Sequence, residues 1–330
     1  MSSYRRGNKM IKAMGMFLMA FFLNTPSIFA DASAEWNGIR FRPYAGISES
    51  YDDNVTFRST NQIEDWITSL NAGLSAFYET ELTRFRLGGG VHYEIFADNS
   101  DFNNTWGELS ADWKHELTKY DRVRLSNDFV HADEPRTFND AFNRPNGRFT
   151  YDRNRFFSEY EHDFNSQWSG RARYANELVI FSEDAFDDSI QHSLGAGAVY
   201  RPVETTRWMA DYDFKTRDFD RGGEAHVHRL GGGVRQYLTK QMYFDLKAGA
   251  DFIDTYNDES LTEPFFEARL TDEVTETVTV DVAFTTEHSL NSYSSDVFDE
   301  WQGSGSLKRA FTRRLRGGLS AFYGEGDSVT

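Results

Sequence analysis

From Arg84 to Ala97 the chain changes side-chain character at every step. Phe85, Leu87, Gly89, Val91, Tyr93, Ile95 and Ala97 fall on one side, and Arg84, Arg86, Gly88, Gly90, His92, Glu94 and Phe96 on the other. A period of two sustained over this length predicts a β-strand with one apolar and one polar face. The same pattern recurs along the chain. Trp66, Leu70, Ala72, Leu74, Ala76 and Tyr78 share a face, as do Leu109, Ala111, Trp113 and Leu117, and later Met242, Phe244, Leu246, Ala248, Ala250 and Phe252. No useful 3.6-residue stripe follows about Ile39, so the chain is predicted to be all-β, with about fifteen strands visible.

The connections alternate between two kinds. Short ones carry a threonine: Leu82-Thr83-Arg84, Leu117-Thr118-Lys119, Leu238-Thr239-Lys240, Leu270-Thr271-Asp272 and Phe311-Thr312-Arg313. Long ones are acidic and rich in Asn and Asp: Asp52 to Asp65, Asp98 to Asn104, Asp133 to Asn154, Ser182 to Asp188, Asp218 to Glu224, Asp254 to Ser260 and Ser289 to Asp299. Short turns at one end and long loops at the other are the arrangement of a transmembrane antiparallel β-barrel. A soluble propeller or sandwich would need its apolar faces to fill a common core, whereas here the second face is charged along nearly every strand. That suits a water-filled lumen. Leu315 to Tyr323 reads as a further strand, and Gly324 to Thr330 as the start of another loop. Since bacterial single-chain barrels have even strand counts, the expectation is sixteen strands or more when complete, with the C-terminal end of the barrel truncated.

Composition sharpens this picture. Hydrophobic residues make up 39% of the 330, yet aromatics reach 16%. A globular domain has ~45–50% apolar residues, and disordered chains are poor in aromatics. A barrel whose apolar residues face lipid needs no packed centre. The formal charge is −17, which argues against nucleic acid as a partner. The absence of cysteine removes disulfide frameworks, thiol catalysis and zinc–thiolate sites. Arg5, Arg6, Lys9 and Lys12 precede the apolar run Met14 to Leu23, and small-x-small sites follow at Ala30-Asp31-Ala32 and Ala32-Ser33-Ala34. This predicts a secretory signal peptide over 1–32 and a barrel over 33–330. Cleavage removes four basic residues and one acidic residue, leaving −20.

The polar faces carry one recurring motif. Arg84 and Arg86, Arg122 and Arg124, Arg171 and Arg173, and Arg314 and Arg316 each stand two apart just after a short turn. As lumen-lining residues they could form a basic constriction that favours anions. The preferred alternative is a cross-strand ladder with Glu79, Asp112, Glu116, Glu159, Glu161 and Asp163 on neighbouring strands. The acidic loops read as a solvated rim; divalent-cation bridging to surface glycans is a weaker idea. His226 and His228 share a strand face, but no third metal ligand can be named. No His-Glu-x-x-His or Gly-x-Ser-x-Gly occurs, so no catalytic residues, metal or cofactor are assigned.

Pro43 to Val55 reads Pro-Tyr-Ala-Gly-Ile-Ser-Glu-Ser-Tyr-Asp-Asp-Asn-Val. A first strand ending in Tyr51, Asp52, Asp53, Asn54 and Val55 resembles the opening of the β-barrel porin 2 family, and Ala97-Asp98-Asn99-Ser100 is similar to that family's second loop. The resemblance implies a Gram-negative outer-membrane barrel, often associated with exopolysaccharide or exosortase clusters, and carries over no catalytic residues. The functions expected are a passive pore or an accessory barrel in surface polysaccharide export. The partners expected are outer-membrane lipid and the polysaccharide or its export machinery. A closed barrel with adhesive or scaffolding loops is the main alternative, and a lumenal or rim hydrolase a distant one.

Overall fold

The computed structural model describes residues 34–58, 60–133, 147–255, 260–290, 297–312 and 316–328. The predicted signal peptide lies outside them. The first eight strands are β1 (Ala34–Trp36), β2 (Ile39–Asp52), β3 (Asp65–Glu79), β4 (Thr83–Phe96), β5 (Asn104–Glu116), β6 (Asp121–Ala132), β7 (Tyr151–Asp163) and β8 (Trp168–Phe181). The other eight are β9 (Ser189–Val203), β10 (Thr206–Phe219), β11 (Gly223–Tyr237), β12 (Met242–Asp254), β13 (Ser260–Thr275), β14 (Val278–Leu290), β15 (Val297–Ala310) and β16 (Arg316–Ser328). They form one antiparallel sheet in chain order. The architecture is a transmembrane β-barrel of up-and-down strands, fifteen of them long enough to cross a bilayer at a tilt. β1 is a short return on β2 through Asn37 and Gly38, whose φ angles of 51° and 79° are those of the Asn-Gly hairpin turn.

Alternation explains the placement of nearly every side chain. Residues at outward positions are large, apolar and exposed, among them Trp66 at 56%, Leu109 at 50% and Leu230 at 58%. A water-soluble surface does not carry so much contiguous apolar area; a lipid-facing one must. Three prolines sit inside strands where the ladder tolerates a missing N–H. Pro43 lies beyond the short β1 pairing, and Pro202 beside the register shift between β9 and β10. Above Phe266 and Thr286 the β13–β14 ladder stops short of Pro264, and Thr286 Oγ1 accepts the Phe266 N–H at 2.8 Å in its place.

Hydroxyl and amide side chains close the short turns. Thr80 Oγ1 accepts from the Thr83 N–H at 3.0 Å, Thr239 Oγ1 from the Met242 N–H at 2.9 Å, and Asn165 Oδ1 from the Trp168 N–H at 3.0 Å. Two expectations are corrected. Leu270-Thr271-Asp272 is not a turn: Thr271 lies within β13 and donates to Asp281 Oδ2 at 2.8 Å, and the chain turns at Glu276 and Thr277. Gly324 to Ser328 is not a loop, because Phe298 to Gln302 of β15 supply it with partners. The connection predicted over Asp218 to Glu224 is also shorter, since β10 and β11 pair as far as Phe219 and Gly223.

Candidate functional site

The inward face has two zones, a charged wall toward the short turns and a packed mouth at the loop ends. Six of the eight singled-out arginines can be placed with their side chains. Arg84 and Arg86 stand on β4, Arg122 and Arg124 on β6, and Arg171 and Arg173 on β8, all at inward positions. Arg314 lies outside the described residues. Arg316 opens β16, and its side chain is likewise outside the description.

Carboxylates meet most of these cations. Arg84 pairs with Glu79 at 2.8 Å, Arg122 with Glu161 at 2.9 Å and Asp163 at 2.8 Å, and Arg124 with Asp112 at 3.1 Å. Among the described residues Arg86 has no carboxylate within 4 Å, because Asp112, opposite it on β5, is turned to Arg124. Arg171 and Arg173 depart from the neighbouring-strand expectation. They reach over β9 to Asp211 at 2.6 Å and Asp213 at 2.9 Å on β10. Gly197 and Gly195 lie between them in register, and a Cβ at either glycine would collide with the carboxylate above it. Arg229 with Asp251 and Arg235 with Asp245 continue the pattern, each at hydrogen-bonding distances of 2.6–2.9 Å. In register the sequence Glu79, Arg84, Lys114, Arg124, Glu159, Arg173, Gly195, Asp213, Arg229, Asp251 and Glu263 forms one row from β3 to β13.

Arginines also sit over inward aromatic rings. Arg42 covers Phe77 at 5.2 Å, Arg124 covers Phe157 at 5.7 Å, Arg207 covers Tyr237 at 6.0 Å, and Arg235 covers Tyr243 at 4.8 Å. Placed this way, cation and ring thicken the wall while the charge stays at the water-facing surface.

The mouth is apolar on the inside, which the strand pattern alone did not reveal. Val55, Ile67 and Phe96 form one buried cluster with Phe102 against it. Ala132, Phe149, Tyr151, Val179 and Phe181 form another, and Val227, Ile253 and Val297 a third. Arg148, next in the chain to Phe149 of the second, packs its side chain on the first. Its guanidinium lies over Phe96 at 5.2 Å and Phe102 at 5.3 Å and donates to the carbonyls of Val55 and Phe102 at 3.5 and 3.4 Å. Beside it the Gly147 N–H donates to the Phe57 carbonyl at 3.2 Å, and Phe149 is 1% exposed. The C-terminal stalk of the long β6–β7 connection is therefore packed onto the β2–β3 and β4–β5 loops. Asp133, at the other root of that connection, lies 3.6 Å from Arg148. Burial holds its carboxyl above the ordinary carboxylate range, against the pull of Arg148.

The Tyr51 to Val55 motif builds this mouth. The Asn54 N–H donates to Asp52 Oδ1 at 2.8 Å, and Asn54 Oδ1 accepts from Thr56 Oγ1 at 3.1 Å and the Arg58 N–H at 3.3 Å. Tyr51 donates to Glu64 at 2.5 Å, Asp53 is exposed, and Val55 is driven into the cluster. Asp65 likewise ties down the next loop, accepting from the N–H groups of Ala97, Asp98 and Asn99. His226 and His228 fall on the outward side of β11, where Tyr212 and His228 Nδ1 lie 2.7 Å apart. Among the described residues no group of three His, Cys, Asp or Glu side chains is placed to hold a metal ion.

Four further lumen residues escaped the sequence reading: Arg153, Arg155, Glu177 and Arg217. Glu177 Oε2 accepts from Arg153 at 2.9 Å and from Arg155, and Oε1 accepts from Arg217 at 2.6 Å. The sequence pattern carries the connection to Asn154, three residues past the start of β7, and so hides Arg153. The odd-numbered inward parity of β7 was the available signal.

No family model matches the chain, and no curated protein sequence matches it. Among solved structures it is similar to the FrpB iron transporter of Neisseria meningitidis, with a TM-score of 0.50 and 6% identity over 90% of this chain and 59% of that one. It is also similar to the ferric enterobactin receptor PfeA of Pseudomonas aeruginosa (TM-score 0.45, 11% identity, 84% of this chain and 53% of that one). A third is Pseudomonas aeruginosa OpdL (TM-score 0.38, 8% identity, 88% of this chain and 95% of that one). The chain spans little more than half the length of the first two. At these identities the likeness concerns architecture, and the match to FrpB agrees with the strand order and the lipid-facing exterior: the chain has the fold of outer-membrane β-barrel proteins.

Proposed function

We propose that the chain resides in a bacterial outer membrane and passes small solutes through its lumen, with the mouth narrowed by the stalk of the β6–β7 connection. One observation carries this: the outward positions are apolar and exposed on strand after strand, while the inward positions hold rows of charge. An apolar exterior demands lipid, and a charged, hydrated interior is what a water-filled conduit presents. The resemblance of Tyr51 to Val55 to the β-barrel porin 2 family extends the proposal to an accessory role in surface polysaccharide export. The buried clusters at the mouth favour a second reading, a barrel closed from outside whose loops serve as a scaffold.

Single-channel recording of the refolded chain in a planar bilayer under a salt gradient separates the two. Discrete conductance steps are expected, with a reversal potential that reports the sign of the selected ion. Silence from correctly folded protein overturns the pore and leaves the closed scaffold.

A further inference from the structure

Along the wall the carboxylates paired with arginine take one or two of them, as Asp112 and Asp211 do, but Glu177 takes three. Its Oε2 takes Nε and Nη2 of Arg153 and Nε of Arg155, and its Oε1 takes Nη2 of Arg217. A carboxylate offers about four lone-pair sites, and Glu177 accepts four hydrogen bonds, three on Oε2 and one on Oε1. Arg217 is 3% exposed and is fixed further by Ser189 Oγ at 3.0 Å and Gln191 Oε1 at 3.0–3.1 Å. Arg155 differs from the other two. Its side chain is 45% exposed, and among the described residues its two terminal amino groups have no acceptor. Asp128 stands opposite it in register on β6 but makes no ion pair within 4 Å among the described residues.

We propose that the two free amino groups of Arg155, held in place by Glu177, form an oxyanion-binding site on the lumen wall for small solutes that carry a phosphate or carboxylate group. A planar guanidinium offers two parallel N–H donors matched to such a group. Because Nε is already bound to Glu177, the fork is oriented before the solute arrives, and little ordering cost remains. Arg84, Arg229 and Arg235 instead spend their forks on protein carboxylates and have none to offer a solute. The inference rests on the pore reading, since it supplies that pore with a solute class.

The test is binding of inorganic phosphate to the full chain folded in a non-ionic detergent, read as broadening of the phosphorus-31 resonance, which needs no current. Saturable binding is expected, about tenfold weaker in Arg155→Gln and partly recovered in Arg155→Lys. Lys119→Gln, which removes the same charge from the β5–β6 turn, is expected to bind as the unaltered chain does. Folding of each variant is checked by its heat-dependent shift on gels, and Arg155→Lys carries the comparison should Arg155→Gln not fold. Equal binding by Arg155→Gln, an equal loss in Lys119→Gln, or no binding by the unaltered chain overturns the site. Phosphate binding with an electrically silent bilayer overturns the pore and leaves the site standing.

Discussion

Asp133 lies one residue beyond β6, and its buried Oδ1 has no hydrogen-bond partner among the described residues. A carboxyl whose folded pKa is raised above its unfolded value costs stability when ionised. The cost is fully present above the folded pKa and vanishes as pH falls below the unfolded one. Asp133→Asn is therefore expected to raise the unfolding temperature at neutral pH and to lose that advantage below about pH 4. Thermal scans across that range check it, and a pH-independent difference would contradict it. At this scale the sequence was only partly legible. Parity put Arg171 and Arg173 on the correct face, but it gave them partners on β7. The true partners are two strands away on the other side, on β10, reached because Gly195 and Gly197 leave the way clear, and only knowledge of the register links residues so far apart. Glu177 was invisible as a centre for the same reason, its three arginines being spread over β7 and β10.

Elements were far more legible than contacts. The strand period is fixed by backbone geometry and needs no knowledge of neighbours, so fifteen long strands could be read directly. Boundaries failed where polar residues continue a strand above the lipid, as at Tyr151 and at Gly324 to Ser328: water tolerates any side chain there, and the hydrophobic signal stops before the hydrogen bonds do. The two faces of one element should respond oppositely to the same change. Leu109 points to lipid near the middle of β5, while Ser110 points inward, opposite Asp128. Leu109→Lys is expected to destabilise the inserted barrel by ~2–4 kcal/mol, and Ser110→Lys to be tolerated. Denaturant titration of each variant folded into lipid vesicles measures both, and equal losses would reverse the assignment of faces.

For the whole molecule, the asymmetry of turns and loops predicts long connections at one end, but not that this end is packed inside. The clusters at the mouth draw on residues from strands and loops far apart in sequence, such as Val55 with Phe96, or Phe149 with Phe186, so no local pattern announces them. Arg148 anchors the stalk to the first cluster, with only 15% of its side chain exposed. Arg148→Ala removes two ring contacts and two hydrogen bonds to carbonyls, and is expected to cost about 1–3 kcal/mol and to raise the single-channel conductance by freeing the stalk. Paired recordings of the two chains decide it; unchanged conductance would mean that the stalk does not narrow the path.

The pairs that span Gly195 and Gly197 have a mechanical consequence. Up-and-down sheets come apart most simply one hairpin at a time, since each strand is bonded only to its neighbours. Here β8 and β10 are clasped directly, with β9 lying beneath the clasp. A pull on the β9–β10 hairpin must break the β8–β9 ladder, these two charged rungs and the Glu177–Arg217 pair together, so these three strands yield as one block rather than as a hairpin and a remainder.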